Sequence, residues 1–251
     1  MGNARAMTAS HQGADISNDL PALNPALDRA VLAGEFKRRG RVHVQRVLTR
    51  PAAQRLYSCL TEETPYSLFV NMGEETREIA SPTPAERREL TKAAWRRVGL
   101  NAFQFLYDRH TLTLEGEPYP DPDHYLARVT TFLNGPEFLD FARAVTGNNA
   151  IEFADAQATL YRAGHFLTAH QDNKPGQNRL VAYVLSLTAS WRPEWGGLLE
   201  FIDDAGQIEA GFVPSFNNLR LFRIPARHYV SCVAPFAQAG RYSITGWLRA
   251  R

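Results

Sequence analysis

The chain has 251 residues, 44% of them hydrophobic and 22% charged, with a formal charge of +2 at pH 7. That composition is ordinary for a globular protein, and the length is compatible with one large domain and a sizeable core. No run approaches the ~18 apolar residues of a membrane span, and no Lys/Arg block points to nucleic acid. The start, MGNARAMTASHQGADISND, has neither the apolar stretch of a secretory signal nor the Ser or Thr a myristoylation signal requires. Two cysteines, Cys59 and Cys232, lie far apart and outside any metal-site spacing, which fits small apolar fillers in a reducing compartment. A cytoplasmic location is therefore expected.

In chain order, residues 1–20 read as a polar, mobile tail. Leu23–Leu32 has helical spacing, with Asn24 as a possible N-cap and Pro25 in the first turn. The basic run Phe36–Arg41 reads as a solvated turn entering a strand over 41–48. A Pro-started helix is expected over 51–64, a strand over 65–73, a longer helix over 82–110 and another over 136–146, ended by Gly147. Between the last two lies the Pro- and Asp-rich segment 113–126. It and segment 65–80 are candidate lids or rims.

From about residue 150 helical spacing disappears. Short alternating or apolar runs follow at 151–163, 179–188, 197–202, 207–213, 219–224, 228–234 and 241–248, punctuated by Gly, Pro, Asn and Asp. Strands at such intervals indicate a sandwich or barrel. The expected fold class is α+β: a β core over about 150–249 carrying helices from the N-terminal half, within one domain spanning 21–251.

The stretch LTAHQDNKPG (167–176) is polar for its position between two strand-like segments. His170 and Asp172 stand two apart, so on a strand both would face one spot. A lone His-x-Asp is weak: seven histidines and eleven aspartates in 251 residues give about 0.3 by chance. His228, which opens a strand-like run in IPARHYVSCV, would complete a three-donor set. Two imidazoles and one carboxylate leave coordination positions free, which suits non-haem Fe(II) better than structural zinc. Taken alone, His228 reads equally as a packed strand histidine. In GRYSITGWL, Arg241, Ser243 and Thr245 would share one strand face. A guanidinium beside a hydroxyl is a carboxylate clamp, although an edge arginine in water has the same pattern. The phenol of Tyr161 could add a donor, or pack. The glycines of EWGGLLEF permit a sharp turn.

The order YRAGHFLTAHQD, WGGLLEF, RHYV, RYSITGWL resembles the 2-oxoglutarate- and Fe(II)-dependent dioxygenases. It is most similar to their prolyl-hydroxylase branch, including the ribosomal-protein prolyl hydroxylases. The likeness covers about 150–249, with a weaker echo near 36–60. It implies a double-stranded β-helix (a jelly roll, cupin-like) and His170, Asp172 and His228 as metal ligands. It also implies Arg241 holding the far carboxylate of 2-oxoglutarate, with Tyr161, Tyr183 and Ser243 as further cosubstrate contacts. Arg241 follows His228 by thirteen residues, slightly more than is common in that family. The implied cofactors are Fe(2+), 2-oxoglutarate and O2, with L-ascorbate as an accessory. The implied reaction is hydroxylation of a C–H bond, prolyl first, with 2-oxoglutarate converted to succinate and CO2. A free amino acid or other small molecule as substrate, and a non-catalytic metal-binding barrel, stay open. The expected partner is the substrate alone, with no nucleic acid and no membrane; nothing in the sequence indicates an oligomeric state.

Overall fold

The structure is a computed structural model and describes residues 20–100 and 102–251. The expected mobile tail lies outside the described residues, apart from Leu20. Among the described residues, no helix is long and apolar enough to cross a membrane.

The first helix, α1, runs Arg29–Arg39. It starts six residues later than the spacing of 23–32 predicts, because the preceding backbone is committed elsewhere. Asn24 Oδ1 accepts from Ala26 N–H at 3.0 Å, Leu23 bridges to Leu48, and Asp28 takes the cap by accepting from Ala30 and Val31 N–H. Lys37, Arg38 and Arg39 sit in its last turn, favourably for the helix dipole, and Gly40 (φ 65°) ends it. The basic run is thus a helix terminus, with Phe36 buried beneath it. Strand β1 (Arg41–Gln45) follows, then α2 (Arg50–Ser58), which continues as a π turn over Cys59–Glu63. Of the cysteines only Cys59 is a buried filler; Cys232 is exposed, contrary to expectation.

Segment 65–80 forms a hairpin of β2 (Ser67–Asn71) and β3 (Thr76–Ala80). Helix α3 (Pro84–Val98) opens with a capping box between Thr83 and Glu86. The helix expected to reach residue 110 stops here. Phe105–Thr113 is instead strand β4, where aromatic and β-branched residues pair with strands on both sides. Asp108 of β4 is buried and accepts from Arg87 Nη1 of α3 (2.6 Å) and Arg162 Nε (2.7 Å), so α3 is fastened across the sheet. Helices α4 (Tyr125–Leu133) and α5 (Pro136–Thr146) close the helical half, and Gly147 (φ 67°) ends α5.

Strands β5 (Phe153–Ala154), β6 (Ala156–Tyr161), β7 (Phe166–His170) and β8 (Arg179–Leu187) follow. The chain then forms β9 (Leu199–Ile202), β10 (Ile208–Phe212), β11 (Phe216–Arg223), β12 (His228–Val230) and β13 (Arg241–Arg249). All pairings are antiparallel, in the order β1-β11-β8-β13-β6-β4-β7-β12-β9-β10, with β2 and β3 added at β4 and β5 at β13. Strand β4 is where this sheet curls. Residues 105 and 106 pair with β7, whereas 108–113 pair with β6, so one strand joins the two layers of the jelly roll.

Alternation decides what each face buries. On β8, Val181, Tyr183 and Leu185 point to the helices and join Phe36, Leu56, Phe138 and Phe141 in the largest apolar cluster. Ala182 and Val184 point the other way, toward Leu199, Phe201 and Phe222 inside the curl. Gly246 of β13 is required by packing: a Cβ there would overlap the Asp155 carbonyl oxygen and lie 2.9 Å from the Tyr183 hydroxyl. Gly34 in α1 is different, since a Cβ there meets only Arg38 Nη1 at 3.6 Å. Urea unfolding is expected to show opposite signs. Gly246→Ala should lose about 3 kcal/mol by overpacking. Gly34→Ala should gain about 1 kcal/mol by stiffening an exposed helix.

Candidate metal centre and cosubstrate cavity

The site begins with a strand register. β7 and β12 pair so that His170 and His228 are direct cross-strand partners, which puts both side chains on one face. Their ring centroids lie 4.3 Å apart. Asp172 follows two residues beyond His170, after β7 has ended, and turns back between them. Its Oδ1 is 3.6 Å from His170 Nε2 and its Oδ2 3.6 Å from His228 Nε2. Donor atoms of all three residues lie within 4.8 Å of one another.

Both imidazoles are oriented by their own strands. His170 Nδ1 is 3.0 Å from the Thr168 carbonyl, and His228 Nδ1 is 2.9 Å from that of Ala226. A carbonyl only accepts, so each Nδ1 carries the proton and each Nε2 lone pair faces the cluster centre. Burial, then the neighbouring His170, pushes the pKa of His228 down to about 4. For Asp172 burial acts upward, but the adjacent His170 and then His228 outweigh it and hold the carboxyl below its ordinary range. Neutral imidazoles and an ionised carboxylate are the donor states a divalent cation needs. Three protein donors on one side leave positions open, so the set fits Fe(II).

The cluster forms one wall of a cavity of about 360 Å³. Arg241 reaches the same cavity from β13. It pairs across the sheet with Tyr161, its Cζ lies 4.9 Å from that ring's centroid, and its Nε has no hydrogen-bond partner. Burial lowers its pKa, against the pull of the Tyr161 phenol. A buried guanidinium with an orphaned N–H is costly unless an anion completes it; a carboxylate in the cavity would do so. Burial raises the pKa of Tyr161, which keeps its O–H, and its ring stacks on Tyr107 at 5.0 Å.

The remaining expected contacts are placed differently. Ser243 is fully buried and does not line the cavity; its Oγ lies 2.9 Å from Thr159 Oγ1, and Thr159 is the residue that faces in. Tyr183 borders the cavity, but its hydroxyl donates to the Asp155 carbonyl (2.8 Å) and its ring packs edge-on against Phe138. Its donor is spent on the helical layer. Segment 65–80 reaches the cavity only from behind its wall: Phe69 stacks on Phe105, whose ring lines the cavity. Segment 113–126 does not; it lies against the helices, where Tyr119 contacts His110 and His124. Asn173 and Lys174 stand exposed at the mouth.

Two aromatic lining residues escaped the sequence reading, whereas Arg179 was an alternative candidate for the carboxylate clamp. Phe105 and Tyr107 sit on β4, in the segment expected to be helical; the alternation within FLYDRHTLT was the available signal. Arg179 lies with its Cζ 3.4 Å from the Trp247 ring centroid and its Nη1 3.4 Å from the Asp172 carbonyl. The turn EWGG behaves as expected: Gly196 and Gly197 have φ of 67° and 63°, and a Cβ on Gly197 would crowd Trp191 and Val233 at 3.1 Å. One other metal-capable cluster exists among the described residues, Cys59, Glu63 and His124. There Arg55 already holds both Glu63 oxygens, and His124 Nδ1 accepts from Leu126 N–H.

Because His228 has a folded pKa of about 4 against an ordinary 6.5, the unfolded chain binds a proton that the folded chain refuses. Burial does the same to His165, which also falls to about 4. Stability of the metal-free protein should therefore decline as pH falls from 6.5 toward 4 and be level above that window. Urea midpoints across this range check it. The decline should be shallower in His165→Gln.

Residues 156–249 match the model of the 2OG-Fe(II) oxygenase superfamily. A curated relative, prolyl 3-hydroxylase OGFOD1 of Mus musculus, is 30% identical over 118 residues, covering 44% of this chain and 21% of that protein. This chain thus spans about a fifth of that relative's length. Similar solved structures include a 2OG-Fe(II) oxygenase family oxidoreductase from Burkholderia pseudomallei (TM-score 0.58, 14% identity, 89% of this chain and 92% of that one). A prolyl-4-hydroxylase of Pseudomonas putida gives 0.55 at 19% identity over 92% and 98%. A Trichoplax adhaerens prolyl hydroxylase, in complex with a hypoxia inducible factor peptide fragment, gives 0.59 at 16% over 88% and 89%. Residues 156–249, which carry the three metal donors and Arg241, thus match the 2OG-Fe(II) oxygenase superfamily, and the chain shares its fold with these solved structures.

Proposed function

We propose that this oxygenase hydroxylates a prolyl residue of a protein or peptide. In this reading His170, Asp172 and His228 hold Fe(II), and Arg241 binds the far carboxylate of 2-oxoglutarate. One observation carries it: three metal donors and an orphaned buried guanidinium face the same cavity from different strands. When bound, iron and 2-oxoglutarate supply the oxidising power for a C–H bond, with succinate and CO2 as co-products. The chain supplies placement. The His Nδ1–H groups stay bonded to backbone carbonyls and keep both Nε2 atoms directed inward. Arg241, backed by the Tyr161 ring, fixes one end of the dicarboxylate, and Phe105, Tyr107 and Leu167 keep that region apolar.

A polypeptide substrate is supported by the mouth. Gln171, Asn173 and Lys174 are exposed there, and Phe103, 48% exposed, lies 5.7 Å from the His170 ring. An exposed aromatic beside the metal donors is a surface on which a pyrrolidine ring can pack. The names of the relatives, prolyl 3-hydroxylase, prolyl-4-hydroxylase and a prolyl hydroxylase with its peptide, point the same way.

The test is 2-oxoglutarate turnover to succinate with Fe(II), together with mass spectrometry of proline-containing peptides for a gain of one oxygen. His170→Ala, Asp172→Ala and His228→Ala should each abolish metal binding and turnover. Arg241→Met should keep the metal and raise the 2-oxoglutarate requirement roughly 100-fold, as expected for an unpaired buried charge partner. Turnover surviving in His170→Ala would reject the ligand set. Oxygen appearing on free amino acids, and never on peptides, would reject the polypeptide substrate.

A further inference from the structure

Arg241 is not the only cation inside the curl. Arg220, on β11, is 4% exposed. By alternation it shares its face with Phe222, which lines the cavity and lies 4.8 Å from the His228 ring. Its Nη2 donates to the Val213 carbonyl (2.8 Å) and contacts Ser215 Oγ (3.4 Å), the ring of Phe212 lies 5.1 Å from its Cζ, and its Nε has no partner. Of these contacts only the Phe212 ring draws on the positive charge. A neutral donor would satisfy both oxygens at a lower desolvation cost.

Between the two arginines runs a row of small polar residues. Strand register places Asn218 opposite Ser186, Ser186 opposite Ser243 and Ser243 opposite Thr159, across four adjacent strands. Hydrogen bonds tie the row into two groups, Thr159 with Ser243, and Ser186 with Asn218 through Ser215. Thr159 and Ser243 hydroxyls lie 2.9 Å apart, Ser186 Oγ accepts from Ser215 N–H (3.1 Å), and Asn218 Nδ2 donates to Ser215 Oγ (2.6 Å). Thr159 faces the cavity at one end of this row, and Arg220 touches Ser215 at the other.

We propose that Arg220 is a second cation of the cosubstrate site: a positioning residue whose charge, acting across the hydroxyl row without touching the ligand, selects a dianionic 2-oxo acid over a monoanionic one. The inference rests on the reading of Arg241 as the carboxylate clamp. The two guanidiniums sense one another, since burial and then Arg241 push the pKa of Arg220 down to about 9. Each is more stable with an anion between them, and a single carboxylate relieves both.

The experiment measures binding by calorimetry under anaerobic conditions, on full-length protein loaded with Mn(II). It compares 2-oxoglutarate with 2-oxopentanoate, which has the same chain but no far carboxylate. Arg220→Gln, which keeps a donor for Val213 and Ser215, should weaken 2-oxoglutarate about tenfold, the size of a partly screened charge interaction. It should leave 2-oxopentanoate unchanged. Arg220→Lys should stay within about threefold of wild type for both. Equal weakening of both acids, or no weakening of 2-oxoglutarate, overturns the proposal and leaves Arg220 a structural anchor. Should Arg220→Gln fail to fold, the screening of 2-oxoglutarate binding by salt in Arg220→Lys and wild type decides: identical affinities and slopes support a charge role, and loss of affinity in Lys overturns it. Arg241→Met serves as the separate control. If that variant still prefers 2-oxoglutarate, the clamp reading has failed, whatever Arg220 does.

Discussion

The antiparallel register of β7 with β12 is the constraint on which the site depends. It makes His170 and His228 direct partners, although 58 residues separate them in sequence. A slip of one residue would turn one imidazole to the other face and dissolve the cluster. Asp172 needs no register of its own, because the chain leaves β7 two residues earlier and is free to turn inward. The backbone also sets the chemistry of the rings: carbonyls of Thr168 and Ala226 hold the Nδ1 protons, so both lone pairs meet at one point.

The interior of the curl has an unusual charge balance. Among the described lining residues Asp172 is the one carboxylate, whereas Arg241 and Arg220 are buried with an orphaned Nε each. A protein that buries cations without partners either loses stability or awaits an anion. The cavity that Arg241 enters, with Thr159 and aromatic rings in its wall, suits a small dicarboxylate. The apolar rings exclude water there and so strengthen the attraction between guanidinium and carboxylate.

Much of this was legible in the sequence, for identifiable reasons. Strand runs after residue 150 carry period-two patterns, and His-x-Asp with a distant His at a strand start is a local signal backed by a long-range one. The helix–strand confusion over 99–110 arose because FQFLYDRH has apolar residues compatible with both periods, and pairing with β2, β6 and β7 decides the matter. That error hid Phe105 and Tyr107. Ser243 and Tyr183 show another limit. Alternation places Ser243 on the interior face, yet only packing reveals that Thr159 stands in front of it. Tyr183 faces the helices because β8 is buried on both sides, so its sequence gives no cue to which face is which. Arg220 was unreadable for a related reason: within NNLRLFR it looks like an edge-strand arginine in water, and only coverage by Phe212 makes it interior.

Anomalous diffraction from a crystal grown with Mn(II) and 2-oxoglutarate tests the central claim most directly. The account predicts one strong peak at coordinating distance from His170 Nε2, His228 Nε2 and the Asp172 carboxylate, with the ligand's far carboxylate against Arg241. A peak at Cys59, Glu63 and His124 instead, or a ligand bound away from Arg241, would contradict it.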